Sequence, residues 1–304
     1  MATPPAPSWP DLPLAPWRAT RDTLHMWTQV VGKTLLASPS QNHWWHTALR
    51  VSARGLATPF PILAGERSFE VELDLVEHLL WVRSDRRTIF TPLGPRTVRS
   101  FYREYLELVR AVGGEAHLWT RPVEVPDPVD FDRDEVHRDY DPVAANRFFA
   151  VLLRCQDVFR GLADSFLGKQ SPVQFWWGSF DLATSRFSGR RAPERPGADR
   201  ITREGYSHEL VAFGFWPGGA LPGGASVDEP LFYAYAAPEP EGFSRAVVGP
   251  NGARYDERLH EFVLPYQTVR CAPDPVAALR EFCEGTYRAG AALGKWDRDV
   301  LERR

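Results

Sequence analysis

Between Arg18 and about Leu36, the apolar residues Leu24, Trp27, Val30, Val31 and Leu35 recur at helical spacing, with Thr20 or Asp22 placed to cap them. This predicts a first helix. Residues 1–17, rich in Pro and Trp, read as an extended arm, because each proline restricts itself and its predecessor. Trp44 to Leu56 reads as a strand. Phe69, Val71, Leu73 and Leu75 then alternate with Glu70, Glu72 and Asp74, the period of a half-buried strand. A helix from Arg99 to Val112 stops at Gly113-Gly114, and a short strand follows from His117 to Val125.

An acidic stretch between Pro126 and Pro142 marks the boundary between an N-terminal half, 18–127, and a C-terminal half, 128–304. The second half opens with an amphipathic helix, Ala144 to Phe166. It continues through strands at Val173–Phe187, Tyr206–Trp216, Leu231–Ala236 and Glu261–Arg270 and closes with a helix from Pro275 to about Val300. The expected fold class is α+β: two related halves of antiparallel sheet packed with helices, with a pocket where they meet. Val31-Gly32-Lys33 precedes Trp44-Trp45 much as Leu167-Gly168-Lys169 precedes Trp176-Trp177, and Arg54 and Arg186 each follow the first tryptophan by ten residues. We read these matches as an internal duplication.

Composition narrows the function classes. The 304 residues are 43% hydrophobic, enough for a large core, and a net charge of −3 disfavours nucleic acid and anionic lipid as partners. The N-terminus has neither the basic start nor the apolar run of a signal peptide, and no stretch reaches membrane-spanning length, so a cytoplasmic location is expected. Cys155, Cys271 and Cys283 lack CxxC spacing, which argues against a disulfide framework or structural zinc site. Only Lys33, Lys169 and Lys295 are lysines, each after a glycine, in a chain that otherwise writes arginine, as a GC-rich genome would.

Several segments resemble one bacterial family. Those carrying the resemblance include Trp9-Pro-Asp-Leu-Pro, Asn42-His-Trp-Trp-His46, Asp134-Glu-Val-His-Arg-Asp-Tyr-Asp141, Gly168-Lys-Gln-Ser-Pro-Val-Gln-Phe-Trp-Trp-Gly-Ser-Phe-Asp181, Tyr206-Ser-His-Glu209 and Gly214-Phe-Trp-Pro. Together the chain resembles the uncharacterised family known as domain of unknown function 5996, over nearly its whole length. The resemblance implies no activity, cofactor or catalytic residue.

Strand parity organises the polar residues. His46, Arg50, Ser52 and Arg54 share one face of the first strand, and Glu70, Glu72, Asp74 and His78 share one face of the next, as either a salt-bridged sheet face or a polar cavity floor. Tyr206, His208, Leu210 and Trp216 share a face, with Glu209 opposite among Val211, Phe213 and Phe215. Asp181 falls in parity with Phe175, Trp177 and Ala183, and a carboxylate among aromatics needs a partner or a raised pKa. Arg186, in parity with Trp176, Phe180 and Leu182, can anchor an anionic group or close a structural salt bridge.

His137 and Asp141, four apart, would face the same way on a helical turn as a base and its orienter. A divalent zinc, iron or manganese ion could draw on His46, His78, His137, His208 or Glu209, although no HExxH spacing is present. Gly32-Lys33-Thr34 lacks the upstream glycine of a phosphate loop, and Gly32 and Gly168 read as helix-ending caps. No G-x-S-x-G elbow or dinucleotide fingerprint occurs.

The function expected is a small-molecule enzyme using acid–base or metal-assisted chemistry. His137, His208, Glu209 and Asp181 are its catalytic candidates, and Arg186, Lys169, Trp176 and Tyr206 its substrate contacts. The alternative is a non-catalytic ligand-binding or protein-interaction module whose histidines and acids complete core hydrogen bonds.

Overall fold

The computed structural model describes residues 9–64, 67–220 and 226–303. The first helix, α1 (Leu14–Lys33), starts four residues before the apolar stripe suggested, so Leu14 and Trp17 are helical and buried. Trp9 and Leu12 are buried too, with Trp9 6.3 Å from Phe232 and 6.0 Å from Tyr266. Residues 9–17 therefore belong to the core rather than to an arm, and the rest of the expected arm lies outside the described residues.

The first sheet is an antiparallel meander. Its strands are β1 (Arg50–Val51), β2 (Gly55–Ala57), β3 (Ile62–Ala64), β4 (Arg67–Asp74), β5 (Leu79–Ser84) and β6 (Thr88–Pro92), ordered β1-β2-β4-β5-β6 with β3 on β4. Helix α2 (Val98–Ala111), capped by Thr97, covers its inner face with Phe101, Tyr105 and Val109.

The second half opens with α3 (Pro142–Gly161), where Asp141 accepts from Val143 N at 2.9 Å and Pro142 fills the first turn. Its strands are β7 (Gln174–Trp176), β8 (Asp181–Arg191), β9 (His208–Trp216), β10 (Gly219–Ala220), β11 (Ser226–Val227), β12 (Leu231–Ala237), β13 (Arg254–Asp256) and β14 (Glu261–Pro265). The sheet order is β13-β14-β12-β9-β8-β7, all antiparallel, while β10 and β11 form a separate ribbon. Helix α4 (Arg200–Gly205) lies between β8 and β9; α5 (Tyr266–Arg270), α6 (Pro275–Leu293) and α7 (Arg298–Leu301) end the chain. The α+β class is the one observed.

The halves share one hydrophobic core. Helix α1 runs through it, with Trp27 stacked on Phe101 at 4.8 Å and Trp17 against Phe148 at 5.2 Å. Paired backbone bonds between Leu49 and Phe175, at 2.9 and 2.8 Å, join the edge of the first sheet to that of the second. Each half runs helix, meander, helix, yet the residues read as repeats stand in unlike places. Trp44 sits in a left-handed turn and Trp176 on β7; Arg54 lies between β1 and β2 and Arg186 inside β8. Those spacings do not by themselves establish a duplication.

Four expected strands are broken, and one of them, Glu261–Arg270, ends at Pro265 where α5 begins. His43 and Trp44 take φ of 58° and 61°, a left-handed kink that interrupts the 3-10 segment Asn42–Thr47 and keeps the chain from extending there. Gly178 to Phe180 reverse the chain, so Val173–Phe187 is a hairpin with Trp176 opposite Asp181 and Gln174 opposite Ala183. Residues 117–125 form no strand, because side chains of α1 occupy several of their backbone groups. Gly32 is no cap either: it lies within α1, where a Cβ would overlap the Trp177 ring.

Candidate active site

Helix α1 carries a second stripe, polar and buried. Arg21, His25, Gln29 and Lys33 follow at intervals of four, so they share one face. Lys33 Nζ donates to the carbonyls of Trp119, at 3.1 Å, and Arg121, and burial lowers this amine to about 8. Gln29 clamps Val123 through both backbone groups, at 2.8 and 2.9 Å. His25 Nε2 donates to the Gly178 carbonyl at 2.8 Å, and burial, then the Arg21 charge, holds this imidazole down to about 3. The guanidinium of Arg21 rests 5.3 Å from the Phe180 ring and pairs with Asp22 at 2.7 Å. One helix face thus fixes both the loop that ends at Glu124 and the turn that leads into Asp181.

Asp181 begins β8 on the face of the second sheet turned away from α3 and α6, and is 5% exposed. It accepts from the Ser179 and Tyr233 hydroxyls and, among the described residues, has no cationic partner. Burial pushes it up to about 6. Tyr233 lies on β12, two strands away, and its ring crosses Gly214 of β9, where any Cβ would overlap it. Glycine is required there by the crossing itself.

Glu124 is exposed as a residue, with φ of 56°, but its carboxyl end reaches in against Gly178. Burial of that end and the Asp181 charge push it up to about 7. Glu261 on β14, level with Tyr235, is pushed up to about 8 by burial and by the charges of Asp181 and Asp256. Tyr233 and Tyr235 stack at 6.2 Å, and the Tyr235 and Tyr206 hydroxyls meet at 2.9 Å. Three carboxyls and three phenols therefore form a polar strip. It is flanked by one apolar patch of Phe187, Leu210, Ala212 and Ala237 and another of Trp216, Leu231 and Val263.

These carboxyls bind protons more tightly in the folded chain than in the unfolded one, so their contribution to stability is fully present below their unfolded pKa values and lost as pH rises through the folded ones. His25 works oppositely: its contribution is present above its ordinary pKa and lost as pH falls toward about 3. Above the ordinary histidine range, the carboxyls of Glu124 and Glu261 decide the slope. The melting temperature is expected to fall between about pH 6.5 and 8, the window set by their folded pKa values. A flat calorimetric profile across that window would contradict the raised pKa values.

The other expected site residues disperse. His137 Nδ1 pairs with Asp134 at 2.7 Å, which raises its pKa, whereas Asp141 caps α3; residues 134–141 are not helical, so the expected four-residue pairing does not form. His78 Nδ1 meets the Tyr140 hydroxyl at 2.8 Å, and His46 Nδ1 accepts from Gln41 N at 3.2 Å. Glu209 accepts from Ser188 at 2.8 Å and from Arg190 Nε at 2.9 Å, and Arg190 also caps the carboxyl end of α6 through the carbonyls of Gly294 and Lys295. A cavity of about 160 Å³ adjoins Glu209 between Ala237 and Trp296, within the second half.

Arg186 faces the helices of the second half. It is 1% exposed and bonds Glu284 at 2.8 and 3.1 Å, Ser165 at 3.0 Å and the Leu162 carbonyl. The polar first-sheet face is salt-bridged: Arg54 bonds Asp74 at 2.5 Å, and Ser52 and Arg83 bond Glu72 at 2.6 and 2.9 Å. Among the described residues, no three His, Cys, Asp or Glu side chains gather as a metal ion would require. Trp176, Asp181 and Tyr206 do converge on the outer face, with His208 and Lys169 at its far end.

The chain from residue 9 to 303 matches the model of a family of unknown function, DUF5996. It belongs to that family. No curated protein and no solved structure matches it. In this DUF5996 chain no described helix is long and apolar enough to cross a membrane. Sequence parity missed Glu124, Tyr233, Tyr235 and Glu261, but the Arg21–His25–Gln29–Lys33 spacing was a readable sign that α1 holds something polar.

Proposed function

We propose that Asp181 and Glu124 form an acid–base pair that moves a proton on a small-molecule substrate. The observation carrying this reading is a buried carboxyl held by two hydroxyls and, among the described residues, no cation, beside a second carboxyl whose proton affinity it raises. Two coupled carboxyls titrate as a pair, and the working state holds one proton between them. That state is most populated between about pH 6 and 7, the two raised values. The ionised member takes a proton from one ligand atom while the protonated member gives one to another, and the Tyr233 hydroxyl, which donates to Asp181, holds that carboxyl in place. Trp176, paired across the hairpin with Asp181, and Tyr206 supply aromatic surface for the ligand.

Carboxyl carbon NMR of the full chain tests this directly: both groups should titrate near neutrality, and Asp181→Asn should return Glu124 toward the ordinary range. Any turnover found by screening isomerisation and hydrolysis substrates should fall by about 100-fold or more in Asp181→Asn, with a bell-shaped pH profile. An Asp181 that titrates as an ordinary carboxylate, or turnover that survives in Asp181→Asn, sinks the reading.

A further inference from the structure

At the end of the outer face remote from Asp181, four basic side chains gather around one aromatic pad. Lys169 Nζ lies 5.0 Å from the Trp45 ring and 5.6 Å from Phe187. His43, 5% exposed, packs 4.6 Å from Phe187 and 5.4 Å from His208, and Arg191 is the cross-strand neighbour of His208. We propose that Lys169, His43 and His208 form a site for an oxyanion, a phosphoryl or carboxylate group, of the ligand. The ligand is then an organic anion whose charged end sits on Trp45 and Phe187. This deepens the reading of the outer face as a substrate platform.

Three observations support it. The first is charge: Lys169 forms no ion pair among the described residues. The groups facing the histidines are Lys169, Arg191 and the acid Glu204 of α4, while Arg200 of the same helix lies over Trp44 at 5.4 Å. The fixed charges of Lys169 and Arg191 disfavour protonation of the imidazoles beside them unless an anion joins the group. Burial holds both imidazoles below their ordinary range; at His43 the Lys169 charge adds to this, and at His208 the Arg191 charge, then that of Lys169, does so. A bound oxyanion reverses that effect.

The second is hydrogen-bonding capacity. His43 Nδ1 is engaged by the Gly205 carbonyl at 3.0 Å and His208 Nδ1 by the Ser207 hydroxyl at 3.1 Å, which leaves each Nε2 for a ligand. The third is backbone strain. His43 and Trp44 both take left-handed φ, unusual outside glycine, and that turn sets His43 and Trp45 on the pad. Small residues, Ala183, Ser185 and Ala212, floor the face between the pad and the carboxyls. Along β8, Asp181 and Phe187 are separated by about 20 Å, so a ligand touching both ends is elongated.

The test is a ring-proton NMR titration of His43 and His208 in the full chain with inorganic phosphate or acetate, at constant ionic strength. At least one anion should give saturable shifts and raise both pKa values by about half a unit or more. Lys169→Met, at an exposed position, should weaken that binding about tenfold, and Lys169→Arg should retain it. Shifts that do not saturate, that chloride reproduces, or that persist in Lys169→Met overturn the proposal. Asp181 titration, read in the same samples, separates the two ideas: an ordinary Asp181 with intact anion binding removes the acid–base pair alone, and the converse removes this site alone.

Discussion

Glu284→Ala should destabilise the protein by about 3–5 kcal/mol, the cost of leaving a buried guanidinium without its carboxylate. Arg186 is 1% exposed and already has an Nε without a partner, so removing Glu284 leaves only Ser165 and the Leu162 carbonyl to hold the charge. The rings of Tyr287 and Phe166, 4.5 and 5.0 Å from the guanidinium, cannot replace a carboxylate. Urea denaturation measures the loss through its midpoint. Glu284→Gln, which keeps an acceptor, should lose less. A loss below about 1 kcal/mol, the scale of an exposed pair, would mean that Arg186 is solvated and free to serve a ligand.

Gly214→Ala should have the next largest effect, about 1–3 kcal/mol, because an added methyl in a packed site forces its neighbours to move. Here the neighbour is the Tyr233 ring, which crosses the glycine to reach Asp181. Displacing it removes a hydroxyl that holds the Asp181 pKa down, so Asp181 should titrate above its wild-type value. Tyr233→Phe removes the same hydroxyl without crowding and should reproduce the titration shift with a smaller loss of stability. If Asp181 titrates unchanged in both variants, the phenol does not govern it.

The two variants probe different links. Glu284→Ala reports on packing between α6 and the inner face of the second sheet, which positions the outer face only indirectly. Gly214→Ala reports on the outer face itself. An effect of Glu284→Ala on Asp181 titration beyond its effect on stability would show that the faces are coupled.

Several elements were legible in the sequence because their reasons are local. The apolar stripe of α1, the alternation at β4 and the run from His208 to Trp216 each follow the period of their own element, and Glu209 falls on the inner face of β9 as alternation requires. Asp141 before Pro142 signals the start of α3, although its four-residue spacing from His137 also suggested a pair with that histidine. Alternation failed where the chain turned unannounced: counting through Gly178 to Phe180 put Asp181 with Phe175, while the hairpin puts it with Trp176. The four-residue reversal from Trp177 to Phe180 pairs residues of opposite parity, so every later side chain faces the other way from a straight count.

The sequence by itself determined the α+β class and the main helices and strands, since propensity and periodicity act over a few neighbouring residues. Tertiary structure alone decided the site. Tyr233 meets Asp181 across 52 positions only because Gly214 leaves its ring a path, and Glu124 is set beside the Asp181 turn by side chains of a helix nearly a hundred residues earlier. The pKa values that make these groups candidates arise from burial and from charges distant in sequence, and no local pattern encodes either.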